Sequence, residues 1–218
     1  MTEHRLFDPA DPPDWLDPEY WRDTPNCNHL AHAADVHIAR LRRAARLAAH
    51  TAYANHVEEI VDIGAGDGAL LEMLDTRTPG IELTGYEIID DSRKFADLFR
   101  SITINDANVT KEAAENLDTA FTRHVCKATR GTRLVVATEF FEHLADPHVM
   151  VRWLSERTEW LVASSPWGET PDRHEDNHAW AWDQEGYLDL FRDNGFEMTS
   201  QEEVEWSQII VARRAGMS

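Results

Sequence analysis

Three glycines at alternate positions follow a short apolar run, and they form the first group of residues that could bind a ligand. Gly64, Gly66 and Gly68 come directly after the run at 60–63, and a helical pattern of apolar residues begins at Ala69. Glycine accepts unusual backbone angles and lets the chain approach a ligand closely. The pattern predicts a buried strand, a tight turn and a helix whose first N–H groups face a ligand. A structural turn without a ligand is the simpler alternative.

Acidic side chains near this turn help to choose between ligands. The letters from Gly64 to Ala69 also fit the G-x-G-x-x-A fingerprint of nicotinamide and flavin enzymes. Glu87 ends the next predicted strand, and an acid there suits the ribose of an adenine dinucleotide or of S-adenosylmethionine. Asp62 discriminates between the two, because S-adenosylmethionine brings an ammonium group to such a turn whereas a dinucleotide brings a pyrophosphate. The residues therefore favour S-adenosylmethionine.

A second group of reactive side chains follows the fourth predicted strand. Glu139, Glu142 and His143 have the spacing i, i+3 and i+4, which places them on one face of a helical turn. Open α/β sheets bind their ligands at this carboxyl edge. Two carboxylates and an imidazole that converge there indicate a divalent-metal site. The alternative is that the acids favour a helix N-terminus and the histidine is packed. A further ligand could come from the later loop that carries His174 and His178.

These stretches, taken in order, resemble the class I S-adenosylmethionine-dependent methyltransferases. VDIGAGDG looks like motif I, GYEI at 85–88 like the acidic end of the second strand, and NDA at 105–107 like the loop after the third. TEFFEHLADP at 138–147 looks like the fourth-strand motif of the subgroup that includes the ubiquinone-pathway O-methyltransferases. The resemblance spans roughly 57–213. It implies the cofactor-binding residues Asp62, Gly64, Ala65, Gly66, Gly68, Glu87, Ile88, Asp106 and Ala107.

The metal motif has a second resemblance. E-x-x-E-H followed by RH…H-x-aromatic-x-W is similar to the enzymes that methylate the 2′-hydroxyl at the 3′ end of small RNAs. That resemblance implies a divalent cation, Mg²⁺ or Mn²⁺, held by Glu139, Glu142, His143 and His178. Asn177 is an extra residue before His178, so His174 is the alternative loop ligand. The predicted catalytic residues are His143, Glu139 and His174.

The net charge limits the classes of partner. The 218-residue chain carries a formal charge of −19 and has a pI near 4.8, which argues against broad binding to nucleic acid. The one dense basic group is interpreted as a solvated helix face, with contact to a phosphate or carboxylate as the alternative: Arg40, Arg42, Arg43 and Arg46. Cys27 and Cys126 are unpatterned, which fits a reducing compartment. No apolar run approaches a membrane span, so the expected location is the cytoplasm, and the oligomeric state is left open.

Alternating apolar runs and helical patterns predict the elements that position these residues. We expect an α/β fold with one Rossmann-like, seven-stranded, mostly parallel sheet, helices on both faces and an antiparallel final pair of strands. Residues 1–56 are predicted to be an extended arm and an Ala-rich helix at 29–54 that pack on or cap the active site, and residues 57–218 form the main domain. The predicted strands lie near 59–63, 81–86, 101–105, 132–138, 159–164, 196–204 and 206–211, and the predicted helices near 68–76, 91–100, 110–129, 145–157 and 183–194.

The resemblance and the residues together predict an S-adenosylmethionine-dependent O-methyltransferase that acts with a divalent cation on a hydroxyl of a small molecule. Three alternatives stay open: an RNA 3′-terminal ribose 2′-O-methyltransferase, a non-catalytic S-adenosylmethionine-binding protein and a nucleotide-dependent oxidoreductase. Trp167, Trp180 and Trp182 are predicted to wall the acceptor pocket, with a core position as an equal alternative.

Overall fold

The structure is a computed structural model that describes residues 3–16, 35–87, 103–106 and 132–217. The predicted helices at 91–100 and 110–129 lie outside these residues, as do Ile88 and Ala107 and the side chain of Asp106. In chain order the elements are β1 (Glu3–Arg5), α1 (Asp35–Ala54), β2 (Val57–Ile63), α2 (Ala69–Asp75), β3 (Glu82–Glu87), β4 (Thr103–Asp106), β5 (Thr132–Thr138), α3 (Pro147–Ser155), β6 (Trp160–Pro166), β7 (Trp180–Trp182), α4 (Gln184–Arg192), β8 (Phe196–Val204) and β9 (Ser207–Arg214).

Seven of the described strands form one sheet in the order β4-β3-β2-β5-β6-β9-β8. The pairs β2–β3, β3–β4, β2–β5 and β5–β6 are parallel, whereas β9 runs antiparallel to both β6 and β8. The predicted fold class is therefore confirmed. The parallel arrangement brings the ends of β2, β3, β5 and β6 to one edge of the sheet, where ligands bind in open α/β folds.

Apolar side chains cover both faces of this sheet. On one face the alanine-rich stripe of α1, with Ala44 and Ala48 fully buried, packs with α2 against Ile60 and Val136. On the other face α3 and α4 pack against strand residues of opposite parity, such as Val61. Strands covered on both faces read as short continuous apolar runs, which is why they could be located in the sequence.

The helices on the second face begin at side-chain caps. Asp146 accepts a hydrogen bond from the N–H of Val149 at 3.1 Å, and Asp183 accepts one from Gly186 at 2.7 Å. A capping carboxylate satisfies an N–H group that has no partner inside the helix. With these caps, α3 begins two residues after its predicted start, and α4 begins one residue after its predicted start. Among the described residues, no helix has both the length and the apolar character needed to cross a bilayer.

The N-terminal arm forms a second, two-stranded sheet that the sequence did not indicate. β1 pairs antiparallel with β7, and the Leu6 N–H extends the pairing to the carbonyl of Ala179 at 2.8 Å. The Arg5 guanidinium lies 4.8 Å from the ring centre of Trp180, a cation–π contact. Leu16 is buried and Trp15 packs against the same core. The arm therefore docks onto the domain, at the strand that directly follows the histidine-rich loop.

Candidate active site

The glycine turn after β2 requires the backbone freedom of glycine. The φ angles of Gly64, Gly66 and Gly68 are 70°, 53° and 82°, in the left-handed region that side chains disfavour. The N–H groups of Gly64 and Ala65 donate to the carbonyl of Tyr86 at 2.9 and 3.1 Å. These bonds tie the turn to the end of β3, so the predicted turn and Glu87 lie side by side.

Phe140 connects the glycine turn to the second group of reactive residues. A Cβ atom added at Gly64 would lie 2.9 Å from Cδ2 of Phe140, which is too close for a real contact. Phe140 immediately precedes a 3₁₀ turn, Phe141–His143, that carries Glu142. The cofactor turn and the Glu/His group therefore share one region at the carboxyl edge of the sheet.

The two acids of the turn are both buried. Asp62 is 2% exposed, and its Oδ1 has no hydrogen-bond partner. Burial, followed by the charges of Glu87 and Asp67, raises the pKa of Asp62 well above its ordinary value. Glu87 accepts a hydrogen bond from the N–H of Gly66 at 2.8 Å. A cationic group next to Asp62 would supply the missing partner, in agreement with the ammonium group that the sequence predicts for this position.

The structure corrects the helical turn predicted for 139–143. Glu139 has a φ of 49° and lies before the 3₁₀ turn rather than within a helix. Its backbone N–H donates to the carbonyl of Ser164 at 3.0 Å, and the hydroxyl of Ser164 donates to its carboxylate at 3.0 Å. Arg40 of α1 forms an ion pair with the other carboxylate oxygen at 2.9 Å. The predicted metal ligand Glu139 is therefore bonded to Arg40 and Ser164, and it is not a member of the group that the other three predicted ligands form.

Three of the four predicted metal ligands do come together. One potential ligand atom from each of Glu142, His143 and His178 lies within 4.8 Å of the other two. The rings of the two histidines meet edge to face with their centres 4.8 Å apart. Glu142 is fully buried, and neither of its carboxylate oxygens has a hydrogen-bond partner. An unpartnered buried carboxylate is costly unless a cation or polar group satisfies it.

The Nδ1 atom of each of the two histidines has a hydrogen-bond acceptor beside it. His178 Nδ1 lies 2.7 Å from a carboxylate oxygen of Glu169, and His143 Nδ1 lies 2.9 Å from the carbonyl oxygen of Asn177. Both partners only accept, so each Nδ1 carries the proton and the lone pair falls on Nε2. Such outer partners fix the tautomer of histidine ligands. Asn177, the extra residue that makes the choice between His174 and His178 uncertain in the sequence, supplies the carbonyl that holds His143.

His174 lies outside this three-residue group. Its Nδ1 is 2.8 Å from the carbonyl oxygen of Glu175, and its side chain is half-buried. His178 is 5% exposed, and its Nδ1 contacts the carboxylate of Glu169. Of the two loop histidines left open by the sequence, the structure places His178 beside Glu142.

The donor set fits a divalent cation. Burial, and then the charge of Glu139, raises the pKa of the Glu142 carboxyl well above its ordinary value, and these two effects outweigh the stabilisation of the anion by its own backbone N–H and by the charge of Arg40. A cation at this position would stabilise the anion further. One carboxylate oxygen and two imidazole nitrogens suit Mg²⁺, Mn²⁺, Fe²⁺ or Zn²⁺.

Several residues of the site were not selected from the sequence. Arg40 was recognised only as part of a basic group, and Ser164, Glu169 and Phe140 were not singled out. Trp180 and Trp182 are 4% and 0% exposed, which is the core position that the sequence left open as the equal alternative to a pocket wall. Trp167 is 38% exposed and follows β6 at the site edge. Glu169 could have been selected from the sequence, because polar residues shortly after the ends of parallel strands such as β6 lie at the ligand-binding edge of the sheet.

Comparison with known proteins agrees with this fold. A family model described as a methyltransferase domain matches residues 30–201, and no curated protein matches the sequence. The N-terminal domain of EvdMO1, crystallised in the presence of SAH and D-fucose, is similar with a TM-score of 0.54 and 16% identity over 79% of this chain and 82% of that one. An O-methyltransferase family protein from Burkholderia thailandensis has a TM-score of 0.62 and 12% identity over 87% and 59%. Human N-acetylserotonin methyltransferase in complex with SAM has a TM-score of 0.56 and 12% identity over 88% and 60%.

Proposed function

The chain belongs to the methyltransferase domain family whose model it matches, and from this premise we propose that it is an S-adenosylmethionine-dependent O-methyltransferase. In this proposal a divalent cation held by Glu142, His143 and His178 assists methyl transfer to a hydroxyl of a small molecule. The single observation that carries the cation is the fully buried Glu142 carboxylate, which has no hydrogen-bond partner and lies beside two histidines. Similar folds crystallised with SAH or SAM support the cofactor.

The residues of the cofactor turn bind and align the methyl donor. Asp62 accepts the ammonium group of S-adenosylmethionine, the glycine turn lets the methionine end approach the backbone, and Glu87 exchanges its bond to Gly66 for the ribose hydroxyls. The sulfonium already carries an activated methyl group. The protein therefore has to hold the acceptor oxygen in line with that group and exclude water.

In this proposal, the group of Glu142, His143 and His178 binds a cation that activates the acceptor hydroxyl. A bound divalent cation lowers the pKa of a hydroxyl that it contacts. Glu139 is already bonded to Arg40 and Ser164, so we favour His174, in the loop that carries His178, as the acceptor of the released proton. Glu139 and Arg40 then fix the end of β5 against α1.

Ligand binding tests the two halves of this proposal separately. S-adenosylhomocysteine should raise the melting temperature of the protein, whereas NAD should not. Mn²⁺ should bind to chelator-treated wild-type protein in a calorimetric titration, and His178→Ala should abolish that binding while the response to S-adenosylhomocysteine stays. His174→Ala is the matched control and should keep Mn²⁺ binding. Stabilisation by NAD alone would refute the cofactor, and equal Mn²⁺ binding by His178→Ala would refute the cation site.

One observation favours RNA 3′-terminal ribose 2′-O-methylation as the second candidate. His178, the loop histidine implied by the resemblance to the small-RNA enzymes, is the one that lies beside Glu142 and His143. A ribose hydroxyl and a small-molecule hydroxyl would make the same demands on this site. The surface charge of the protein separates the two candidates, since RNA binding requires a basic surface.

A further inference from the structure

Tyr187, in the first half of α4, brings a second unpartnered polar group to the region of the Glu142 carboxylate. Its side chain is 0% exposed and its hydroxyl has no hydrogen-bond partner. A buried hydroxyl is normally satisfied by protein or by water. No role was assigned to Tyr187 from the sequence. Neither the cofactor turn nor the group of Glu142, His143 and His178 gives its hydroxyl a hydrogen-bond partner.

Aromatic packing holds the tyrosine ring in one position. The ring of Tyr187 lies 5.5 Å from that of Trp182 and 5.0 Å, edge to face, from that of Phe191. Phe191 in turn packs at 5.3 Å against Phe141, the residue before Glu142. This chain of rings connects α4 to the 3₁₀ turn that carries the carboxylate, so the hydroxyl and the carboxylate are parts of one packed unit.

Two ring contacts, Tyr187 to Phe191 and Phe191 to Phe141, place Tyr187 in the region of Glu142. Burial raises the pKa of Tyr187 well above its ordinary value, and the negative charges of Glu142 and then Glu139 raise it further. No hydrogen bond joins Tyr187 to Glu142 directly. Three buried oxygen atoms, one from the phenol and two from the carboxylate, thus share a region in which none of them has a partner.

We propose that Tyr187 is a positioning residue for the cation site, whose hydroxyl holds the Glu142 carboxylate through one buried water molecule in the orientation that binds the ion. A buried water needs two or more polar partners, and the phenol and the carboxylate oxygens supply them. The inference rests on the proposed cation site. It adds a residue outside the ligand set, one that acts on the ion through Glu142 and not by contact.

Tyr187→Phe tests this role because it removes only the oxygen atom and keeps the packed ring. In chelator-treated protein the melting temperature of Tyr187→Phe should stay within about 2 °C of the wild type or rise, since the lost hydroxyl has no direct protein partner. In a calorimetric titration with Mn²⁺, the dissociation constant should rise about tenfold, as is typical when an outer partner of a metal ligand is removed. Tyr53→Phe, which removes an exposed hydroxyl of α1, is the control and should match the wild type in both measurements.

The outcomes separate this inference from the function on which it rests. Wild-type protein that binds no Mn²⁺ would refute the cation site and this role together. Mn²⁺ binding by Tyr187→Phe with wild-type affinity would refute the role of Tyr187 alone. A fall of more than about 4 °C in the melting temperature of metal-free Tyr187→Phe, or failure of that variant to fold, would show a structural role and would also overturn the inference.

Discussion

Asp62 shows how a single residue connects stability and cofactor binding. Its folded pKa is raised above the ordinary value of 3.8 by burial first, and then by Glu87 and Asp67. A carboxyl group whose pKa is raised on folding favours its neutral form in the folded state. Its contribution to stability is therefore complete below pH 3.8 and is lost as the pH rises through the raised pKa.

We expect Asp62→Asn to remove this pH dependence and to weaken the cofactor site. Over the pH range above 3.8, the melting temperature of unligated wild-type protein should fall with rising pH relative to that of Asp62→Asn. S-adenosylhomocysteine should bind the variant about tenfold or more weakly, because a charge-assisted hydrogen bond to its ammonium group is lost. Thermal unfolding over this pH range and calorimetric titration measure the two effects. Asp75→Asn, on the exposed side of α2, is the control, and equal binding by wild type and Asp62→Asn would contradict the assignment.

Residue type and spacing were sufficient to select Glu142 and His143, because both directly follow the end of one strand, whereas His178 was implied by the resemblance with His174 as the alternative. They were not sufficient for Glu139. Its left-handed backbone conformation is uncommon for a residue with a side chain, and nothing in the local sequence indicates it. The pairing of Glu139 with Arg40 joins β5 to α1, and such long-range contacts depend on how the helix packs on the sheet.

The turn after β2 carries the proposed cofactor site, and a comparison of Gly64 in this turn with Gly80, which lies before β3, measures its strain. Gly64 has a φ of 70° and faces Phe140, whereas Gly80 has a φ of 88° and no atom within 4 Å of an added Cβ. Gly80→Ala should cost about 1–2 kcal/mol of unfolding free energy, the cost of a left-handed backbone for alanine. Gly64→Ala should cost about 1–3 kcal/mol more, because the new methyl group also overlaps Phe140.

Urea unfolding of the two variants measures these costs, and Gly64→Ala should also weaken S-adenosylhomocysteine binding. Adding Phe140→Ala to Gly64→Ala should relieve the overlap but leave the backbone strain, so the double variant should approach the loss seen for Gly80→Ala apart from the lost packing of Phe140. Equal losses in Gly64→Ala and Gly80→Ala would show that Phe140 moves away without cost.

At the level of elements, the large sheet could be predicted and the small one could not. β2, β5 and β6 are continuous apolar runs between helical patterns, and their observed bounds differ from the predicted ones by two residues at most. β1 and β7 have three residues each, and their pairing joins residues 3–5 to residues 180–182, which are far apart in the sequence. The same pairing explains why Trp180 and Trp182 are buried: Trp180 Nε1 donates to the carbonyl of Leu144 at 2.8 Å, and the arm covers the strand that carries both residues.

The charge of the whole molecule bears on the choice between a small-molecule acceptor and RNA. The chain carries a net charge of −19, and its densest basic group lies on α1. Within that group Arg40 pairs with Glu139, and Arg43 pairs with Glu202 through two guanidinium nitrogens. Arg42 and Arg46 are exposed. Two of the four arginines are thus already neutralised by carboxylates, which reduces the positive field available to a phosphate backbone.

We therefore predict no micromolar, salt-sensitive binding to short single-stranded RNA. Each phosphate contact that releases a counterion makes affinity fall as salt increases, with a slope of about 0.7 per contact for single strands. A gel-shift titration at low and moderate salt measures both affinity and slope for the wild type and for Arg42→Ala combined with Arg46→Ala. Glu58→Gln, which removes one exposed negative charge from β2, controls for the general effect of charge.

Tight binding that weakens, with a smaller salt slope, in the double arginine variant would show that the exposed side of α1 binds RNA. The ribose 2′-hydroxyl would then replace a small molecule as the acceptor, and the cofactor turn and the Glu142 site would keep the same chemical roles.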